Sequence, residues 1–172
     1  MEQNKTMEEE VVSVYTMMTS PVGELLLAGE WRGGAVELTA VSMSGSKSIL
    51  GEGDWIADAE PFADVIGQLT AYFAGERDEF DLRVGTAGTD FRRRVWRALD
   101  EIPYGTTTTY GEIAARIGAP RAAVRAVGSA IGANPLLIVR PCHRVIGSDG
   151  SLTGYAGGVE RKRRLLELER AA

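Results

Sequence analysis

The spacing of apolar residues changes along this chain, and that change constrains its fold more than any other feature. Between residues 10 and 43, apolar residues form short runs separated by glycine and proline, a pattern typical of strands joined by tight turns. From residue 61 onward they recur mainly every three or four positions, which predicts helices. Hydrophobic residues make up 44% of the 172 residues, enough to bury a core. The sequence therefore predicts an α+β fold with a strand-rich first part and a mainly helical second part.

The first part is expected to end in one helix. Residues 61–75 would place Phe62, Val65, Ile66, Leu69 and Phe73 on one face, and Gly75 would end the helix. The loose stretch RVGTAGTD at 83–90 is the candidate linker. We therefore divide the chain into a first domain, residues 1–88, and a second domain, residues 89–172.

The second part begins with an arginine-rich helix that Thr89 or Asp90 would cap. Its buried face would carry Phe91, Val95 and Leu99, with its four arginines on the remaining surface. Two short helices follow, one ending at Gly118 and one beginning at Pro120 and stopping before Asn134. Their tight connection predicts a helix-turn-helix.

The remaining elements surround a Cys-His pair. The run LLIV at 136–139 is predicted as a buried strand, and Asp149-Gly150 as a hairpin turn. Residues 154–158 read as a loop, and residues 159–170 as a final amphipathic helix.

Charge is divided unevenly along the chain. Residues 1–90 carry 5 Lys and Arg against 17 Asp and Glu, whereas residues 91–172 carry 14 against 7. This pattern fits two explanations equally: a basic second half that faces a polyanion, or an ordinary distribution of solvated charges.

A single cysteine excludes an intramolecular disulfide and a cysteine-rich zinc site. A free thiol fits a reducing compartment. The start, MEQNKTMEEE, is too polar and acidic for a signal peptide, and no apolar run approaches the ~20 residues of a membrane span. These features predict a soluble, cytoplasmic protein without a bound metal.

The only cysteine and the only histidine are adjacent, at Cys142 and His143. A lone cysteine is more often a small buried hydrophobe than a nucleophile. However, a nucleophilic thiol needs a neighbouring base or positive potential, and His143, Arg140 and Arg144 supply both. The histidine would need an orienting carboxylate, for which the final helix offers Glu167 and Glu169.

Three motifs follow one another in the second part of the chain: IPYGTTTTYGEIA, RAVGSAIGANP, and PCHRVIG followed by TGYAGG. Together they resemble the O6-alkylguanine-DNA alkyltransferases, also called methylated-DNA–protein-cysteine methyltransferases, and the resemblance covers about residues 89–170. It implies a ribonuclease-H-like α/β first domain and a winged helix-turn-helix second domain. It also implies DNA repair by direct reversal: the alkyl group of O6-alkylguanine passes irreversibly and stoichiometrically to a protein cysteine after nucleotide flipping. O4-alkylthymine is a second candidate substrate.

The resemblance also assigns roles to residues. Cys142 would be the alkyl acceptor, His143 its water-linked base and Glu169 the carboxylate that orients the imidazole. Asn134 would brace the turn that holds the active-site strand, and Tyr110 would lie near the flipped nucleotide and its leaving oxygen. The candidate DNA contacts are Arg125, which would enter the base stack, with Tyr110, Arg121, Ala126, Gly128 and Ser129. The candidate base pocket comprises Val145, Tyr155, Ala156 and Gly157.

The implied partner is double-stranded DNA containing O6-alkylguanine, bound by a monomer without cofactor, protein partner or membrane. Some family members hold zinc through cysteines in the first domain, and this chain has none there. Leu137 stands where some members have a proline beside the pocket, which leaves the accepted alkyl sizes open. Three alternatives are a lesion sensor that does not transfer the alkyl group, a helix-turn-helix regulator and a cysteine hydrolase. The sensor is disfavoured by the presence of Cys142, and the regulator by the small residues of the second helix.

Overall fold

Where the structure describes it, the first part of the chain forms a four-stranded sheet with one α-helix. The computed structural model describes residues 9–43 and 47–170, so most of the acidic start lies outside the described residues. The strands are β1 (Val12–Ser20), β2 (Gly23–Arg32), β3 (Ala35–Ser42) and β4 (Ile56–Ala57). Their order is β3-β2-β1-β4, with β4 parallel to β1 and the other pairs antiparallel. Gly23 has a φ of 97° in the turn after β1, which favours glycine there, and the predicted strands are confirmed.

Helix α1 (Ala63–Phe73) packs against β1 and ends before Gly75, whose φ is 73°. The predicted apolar face is right for Phe62, Val65 and Leu69, which are buried, whereas Ile66 and Phe73 are only partly buried. The prediction missed Tyr72 and Gln68, which are buried. The buried face of α1 therefore runs through Val65, Leu69 and Tyr72, which are spaced four and three residues apart, and not through Ile66 and Phe73.

The second part contains four helices and a short two-stranded sheet. These are α2 (Asp90–Asp100), β5 (Thr108–Thr109), α3 (Tyr110–Arg116), α4 (Val124–Gly132), β6 (Val145–Ile146) and α5 (Val159–Arg170). Thr89 caps α2 by accepting the Arg92 N–H, and Thr109 forms a capping box with Glu112 at α3. Because residues Arg121–Ala123 form a 3₁₀ turn, α4 begins at Val124 rather than at Pro120. Helices α2, α3 and α4 pack together, and the Trp96 indole donates to the Ala130 carbonyl.

The strand predicted for the run LLIV is wrong. Leu136 forms one bridge to Val41 of β3, and the chain then turns, with Ile138 at a φ of 71°. The segment is nonetheless largely buried, with Leu136, Leu137 and Ile138 each at most 4% exposed. Its polar backbone groups are satisfied by the Asn134 side chain, by local turns and by one hydrogen bond from the Leu137 N–H to the Val41 carbonyl, rather than by a continuous sheet ladder.

The predicted turn at Asp149-Gly150 is present, but it does not join two strands of a hairpin. Gly150 has a φ of 82°, and the Gly147 N–H donates to the Ser151 carbonyl. Strand β6 pairs in parallel with β5, and the chain after Ser151 is a loop. The Val145 carbonyl accepts a hydrogen bond from the Lys162 ammonium, in place of one from the second strand of a hairpin. Among the helices described here, none is long and apolar enough to cross a membrane.

Candidate active site

Cys142 opens a 3₁₀ turn, Cys142–Arg144, and is 5% exposed. The preceding turn is held by Asn134, whose Nδ2 donates to the carbonyls of Arg140 (3.1 Å) and Leu136 (3.4 Å). Its Oδ1 accepts the Leu136 N–H at 3.0 Å. One amide side chain therefore fixes both ends of the segment that leads to the cysteine.

The pKa of the Cys142 thiol is raised. Burial is the main cause, while a hydrogen bond from Asn134 and the positive charges of Lys162 and Arg140 oppose it. The resting sulfur is therefore a thiol, and it has to lose its proton before it can act as a nucleophile.

His143 is fully buried, and its Nε2 lies 2.6 Å from Glu169 Oε2. Burial lowers the pKa of His143, an effect that Glu169 partly opposes, so the ring is neutral near pH 7. A neutral ring facing a carboxylate donates through Nε2–H, which leaves Nδ1 as an acceptor. Nδ1 is buried and has no hydrogen-bond partner among the described residues. Of the two candidate carboxylates, Glu169 faces the ring, whereas Glu167 is exposed.

Glu169 is buried and accepts hydrogen bonds from three side chains. Arg144 Nε lies 2.6 Å from Oε1, and the Tyr72 hydroxyl donates to Oε2 at 2.9 Å. Burial by itself raises the pKa of Glu169, but the hydrogen bonds and charges of His143 and Arg144 lower it to about 2. The carboxylate is thus charged at every pH at which the protein is expected to work.

Lys162 lies on the buried face of α5, and sequence reasoning missed it. Its Nζ donates to the carbonyls of Val145 (2.6 Å) and Thr153 (3.0 Å). Burial lowers the pKa of Lys162, and the nearby Cys142 opposes that shift. The ammonium joins β6 to the following loop and brings positive potential to the thiol.

Tyr110, the first residue of α3, is half-buried and donates its hydroxyl to the Thr153 carbonyl at 3.1 Å. Lys162 donates to the same oxygen. Burial raises the pKa of Tyr110, so its hydroxyl stays a proton donor at neutral pH. Tyr110 and the loop after β6 are therefore held together on one side of the site.

The four candidate pocket residues differ in burial. Val145 and Tyr155 are buried, Gly157 is half-buried and Ala156 is exposed. A Cβ at Gly157 would clash with Met43 Sδ and lie 2.8 Å from Tyr155 Cε1, so a larger residue there would force these side chains to shift. Arg161 donates to the Met43 carbonyl at 2.7 Å. The pocket loop is thus fastened to the end of β3.

The candidate DNA contacts share one surface around α4. Arg121, Arg125, Ala126 and Ser129 are exposed, while Val127, Ala130 and Ile131 face the core. Gly128 is half-buried, and a Cβ there would lie 3.9 Å from Tyr110 Cδ1. The structure therefore places Tyr110 beside this surface, between α4 and the loop that carries Thr153.

Two buried polar residues could have been found from spacing alone. In α5 the buried positions are Lys162, Leu165, Leu166 and Glu169, which follow helical spacing. A lysine and a glutamate on an otherwise apolar face are unusual, and that pattern marks both as candidates. The contact between Tyr72 and Glu169 has no comparable signal, because 97 residues separate them. In the described parts of the chain, no three His, Cys, Asp or Glu side chains are grouped as a metal site requires.

Two family models match the chain. Residues 13–86 match the ribonuclease-like domain of 6-O-methylguanine DNA methyltransferase, and residues 90–171 match its DNA-binding domain.

Curated proteins and solved structures agree with these matches. The chain is 53% identical over 157 residues to a methylated-DNA–protein-cysteine methyltransferase of Mycobacterium tuberculosis, covering 91% of this chain and 92% of that one. It is 51% identical over 156 residues to the protein of the same name from Methanosarcina barkeri, covering 90% and 96%. The crystal structure of M. tuberculosis OGT in complex with DNA superposes with a TM-score of 0.83 at 51% identity, covering 92% and 93% of the two chains.

Proposed function

The chain belongs to the 6-O-methylguanine DNA methyltransferase family, and from this premise we propose that it transfers the alkyl group of O6-alkylguanine in DNA to its own Cys142. The reaction is direct-reversal DNA repair, and each molecule acts once. The domain division at residues 88 and 89 is part of the proposal. It is supported by the two family matches, which end and begin at residues 86 and 90.

The observation that carries the proposal is the Nδ1 of a neutral, buried His143, next in sequence to a buried thiol. Within the described part of the chain, this nitrogen has no hydrogen-bond partner. The thiol proton passes to Nδ1 through a water, and Glu169 stabilises the imidazolium that forms. The thiolate then attacks the saturated alkyl carbon, forming a C–S bond as the bond from that carbon to the guanine oxygen breaks. The Tyr110 hydroxyl protonates the departing guanine ring, and the proton held on His143 replaces the one that Tyr110 gives up.

The product explains why the protein acts once. A thioether has no electrophilic carbonyl for water to attack, so the free thiol is not regenerated. A cysteine hydrolase, in contrast, passes through an acyl-enzyme that water cleaves.

DNA is the proposed partner, held by the surface around α4. The exposed Arg121 and Arg125 would contact phosphates and the vacated base stack, and Ala126 and Ser129 allow close approach to the sugar-phosphate backbone. Extruding a paired base costs a few kcal/mol, and a stacked Arg125 would offset part of that cost. The protein is proposed to act on damaged duplexes as a monomer. The small side chains on α4 offer few groups for reading bases, which disfavours a sequence-specific regulator.

The test is restoration of guanine. A duplex containing one O6-methylguanine inside a restriction site that the lesion blocks is incubated with increasing amounts of protein. We expect cleavable DNA to rise linearly and to stop at one duplex restored per protein molecule. Tight binding without restored DNA would favour a lesion sensor, and restoration of several duplexes per molecule would contradict the single-use mechanism.

A further inference from the structure

The carboxylate that holds His143 also receives a hydrogen bond from the first domain. Tyr72 lies in the last turn of α1 and is fully buried. Its hydroxyl donates to Glu169 Oε2 at 2.9 Å, and the same oxygen lies 2.6 Å from His143 Nε2. A carboxylate oxygen has two lone pairs, and the contacts from Tyr72 and His143 are the two shortest that Oε2 makes.

Arg144 holds the rest of the carboxylate. Its Nε lies 2.6 Å from Oε1, and its Nη2 lies 3.3 Å from Oε2. The strong contact is therefore to Oε1, whereas both contacts to Oε2, from Nε at 3.4 Å and from Nη2, are long. After the contact with His143, the hydrogen bond from Tyr72 is the shortest that Oε2 accepts, and Oε2 is the atom that faces the imidazole.

Tyr72 packs among three aromatic rings. Its ring packs against Phe73, Phe80 and Tyr104, with centroid distances of 5.3, 5.4 and 6.2 Å. Four residues earlier on α1, Gln68 accepts the Asp81 N–H and donates to the Asp81 carbonyl, both at 2.9 Å. Gln68 thus fixes α1 within the first domain, and the ring contact with Tyr104 is the one of these that reaches the second domain.

We propose that Tyr72 is a positioning residue for the transfer reaction, through which the first domain aligns Glu169 Oε2 with His143. This inference rests on the proposed function of Cys142. It gives the first domain a role at the site: when α1 is in place, Oε2 accepts the Nε2–H and Nδ1 stays free to accept the proton that the water carries from the thiol.

The experiment compares full-length wild type, Tyr72→Phe and Tyr104→Phe. Tyr104 is a matched control because its ring packs on Tyr72, while its hydroxyl has no hydrogen-bond partner among the described residues. Each protein reacts with an excess of duplex containing O6-methylguanine, and both the final extent and the rate constant are recorded. Because each molecule acts once, the extent with excess DNA counts the competent molecules, and the rate constant then describes only those that have folded.

We expect Tyr72→Phe to slow transfer about tenfold, the effect of losing one hydrogen bond to a charged group, and Tyr104→Phe to react at the wild-type rate. A second readout uses the single histidine, whose Nε2–H proton gives one resolvable NMR signal. In Tyr72→Phe this signal should move upfield or be lost to exchange, because the contact to Oε2 loosens; in Tyr104→Phe it should stay.

A wild-type rate and an unmoved proton signal in Tyr72→Phe would overturn the inference, as would a slower rate with an unmoved signal. Absence of transfer by the wild type would instead overturn the proposed function itself, so the two failures are distinguishable.

Discussion

His143 Nε2 and Glu169 Oε2 lie 2.6 Å apart, and both side chains are buried. This contact fixes which ring nitrogen carries the proton and leaves Nδ1 to accept one. The buried thiol, whose pKa is raised mainly by burial, needs such an acceptor before it can react. The predictions below test this relationship and its surroundings.

Glu169→Gln should slow transfer by roughly 100-fold or more, because an uncharged amide cannot stabilise the imidazolium. It should also lower the free energy of unfolding by about 3–5 kcal/mol, since Arg144 loses its buried partner. Single-turnover kinetics and urea denaturation measure the two effects. Glu167→Gln is the control, because Glu167 is exposed on the same helix. Equal rates for the two variants would show that Glu169 has no role in the reaction.

Acidification should destabilise the fold in two steps. Burial lowers the pKa of His143, so the imidazole binds a proton more tightly in the unfolded chain than in the folded one. The stability that comes from keeping the ring neutral is therefore fully present above about pH 6.5 and declines below it. Burial raises the pKa of Glu169, but His143 and Arg144 lower it to about 2 from 4.5. Its contribution, about 3 kcal/mol, is complete above about pH 4.5 and is lost towards pH 2.

Guanidinium denaturation at pH 8, 5.5 and 3.5 measures both steps. His143→Gln should lack the first step and keep a loss at the lowest pH. If wild type and His143→Gln lose the same stability between pH 8 and 5.5, the first step does not belong to the histidine.

Lys162→Met should raise the pKa of Cys142 further and slow transfer about tenfold or more. The variant keeps the apolar stem but removes the charge near the thiol and the hydrogen bonds to Val145 and Thr153. Because Cys142 is the only thiol, the pH dependence of its reaction with iodoacetamide reports its pKa directly. Arg164→Met, at an exposed position of α5, should leave both quantities unchanged. A thiol pKa that is the same in Lys162→Met and wild type would contradict the electrostatic role.

Arg125→Ala should slow transfer from duplex DNA much more than transfer from the free base O6-benzylguanine. The reason is that only the duplex requires a base to be extruded and the gap to be filled. Arg164→Ala, at an exposed arginine of α5 outside that surface, is the control. Similar slowing on both substrates would remove Arg125 from nucleotide flipping.

Affinity for undamaged duplex should fall steeply as salt is added, because the basic surface would displace counterions from phosphates. Binding of wild-type protein is measured by fluorescence anisotropy at a series of salt concentrations. An affinity that does not change with salt would contradict α4 and its arginines as the DNA surface.

Local patterns were enough to predict most elements of the fold. The strands between Val12 and Ser42 and the caps at Thr89 and Gly75 follow from short-range turn and capping chemistry. The run at 136–139 was misread because its composition is that of a buried strand. What decides its conformation is the Asn134 side chain, which takes over backbone hydrogen bonds that a neighbouring strand would otherwise provide.

The site was only partly predictable. Cys142 and His143 stand out because they are unique and adjacent, and Glu169 lies at a buried position of an amphipathic helix. The contacts of Tyr72 with Glu169 and of Met43 with Gly157 join distant parts of the chain. Such contacts arise from the packing of the two parts of the chain against each other, which local spacing does not encode.

The most direct test of the central claim is the mass of the protein after reaction. The wild type and Cys142→Ser are each incubated with a duplex containing one O6-methylguanine, and intact mass is followed by mapping of the modified peptide. We expect one added methyl group per wild-type molecule, on the peptide containing PCHRV, and none on Cys142→Ser, which should still bind the DNA. A methyl group on another residue, or on Cys142→Ser, would contradict Cys142 as the acceptor.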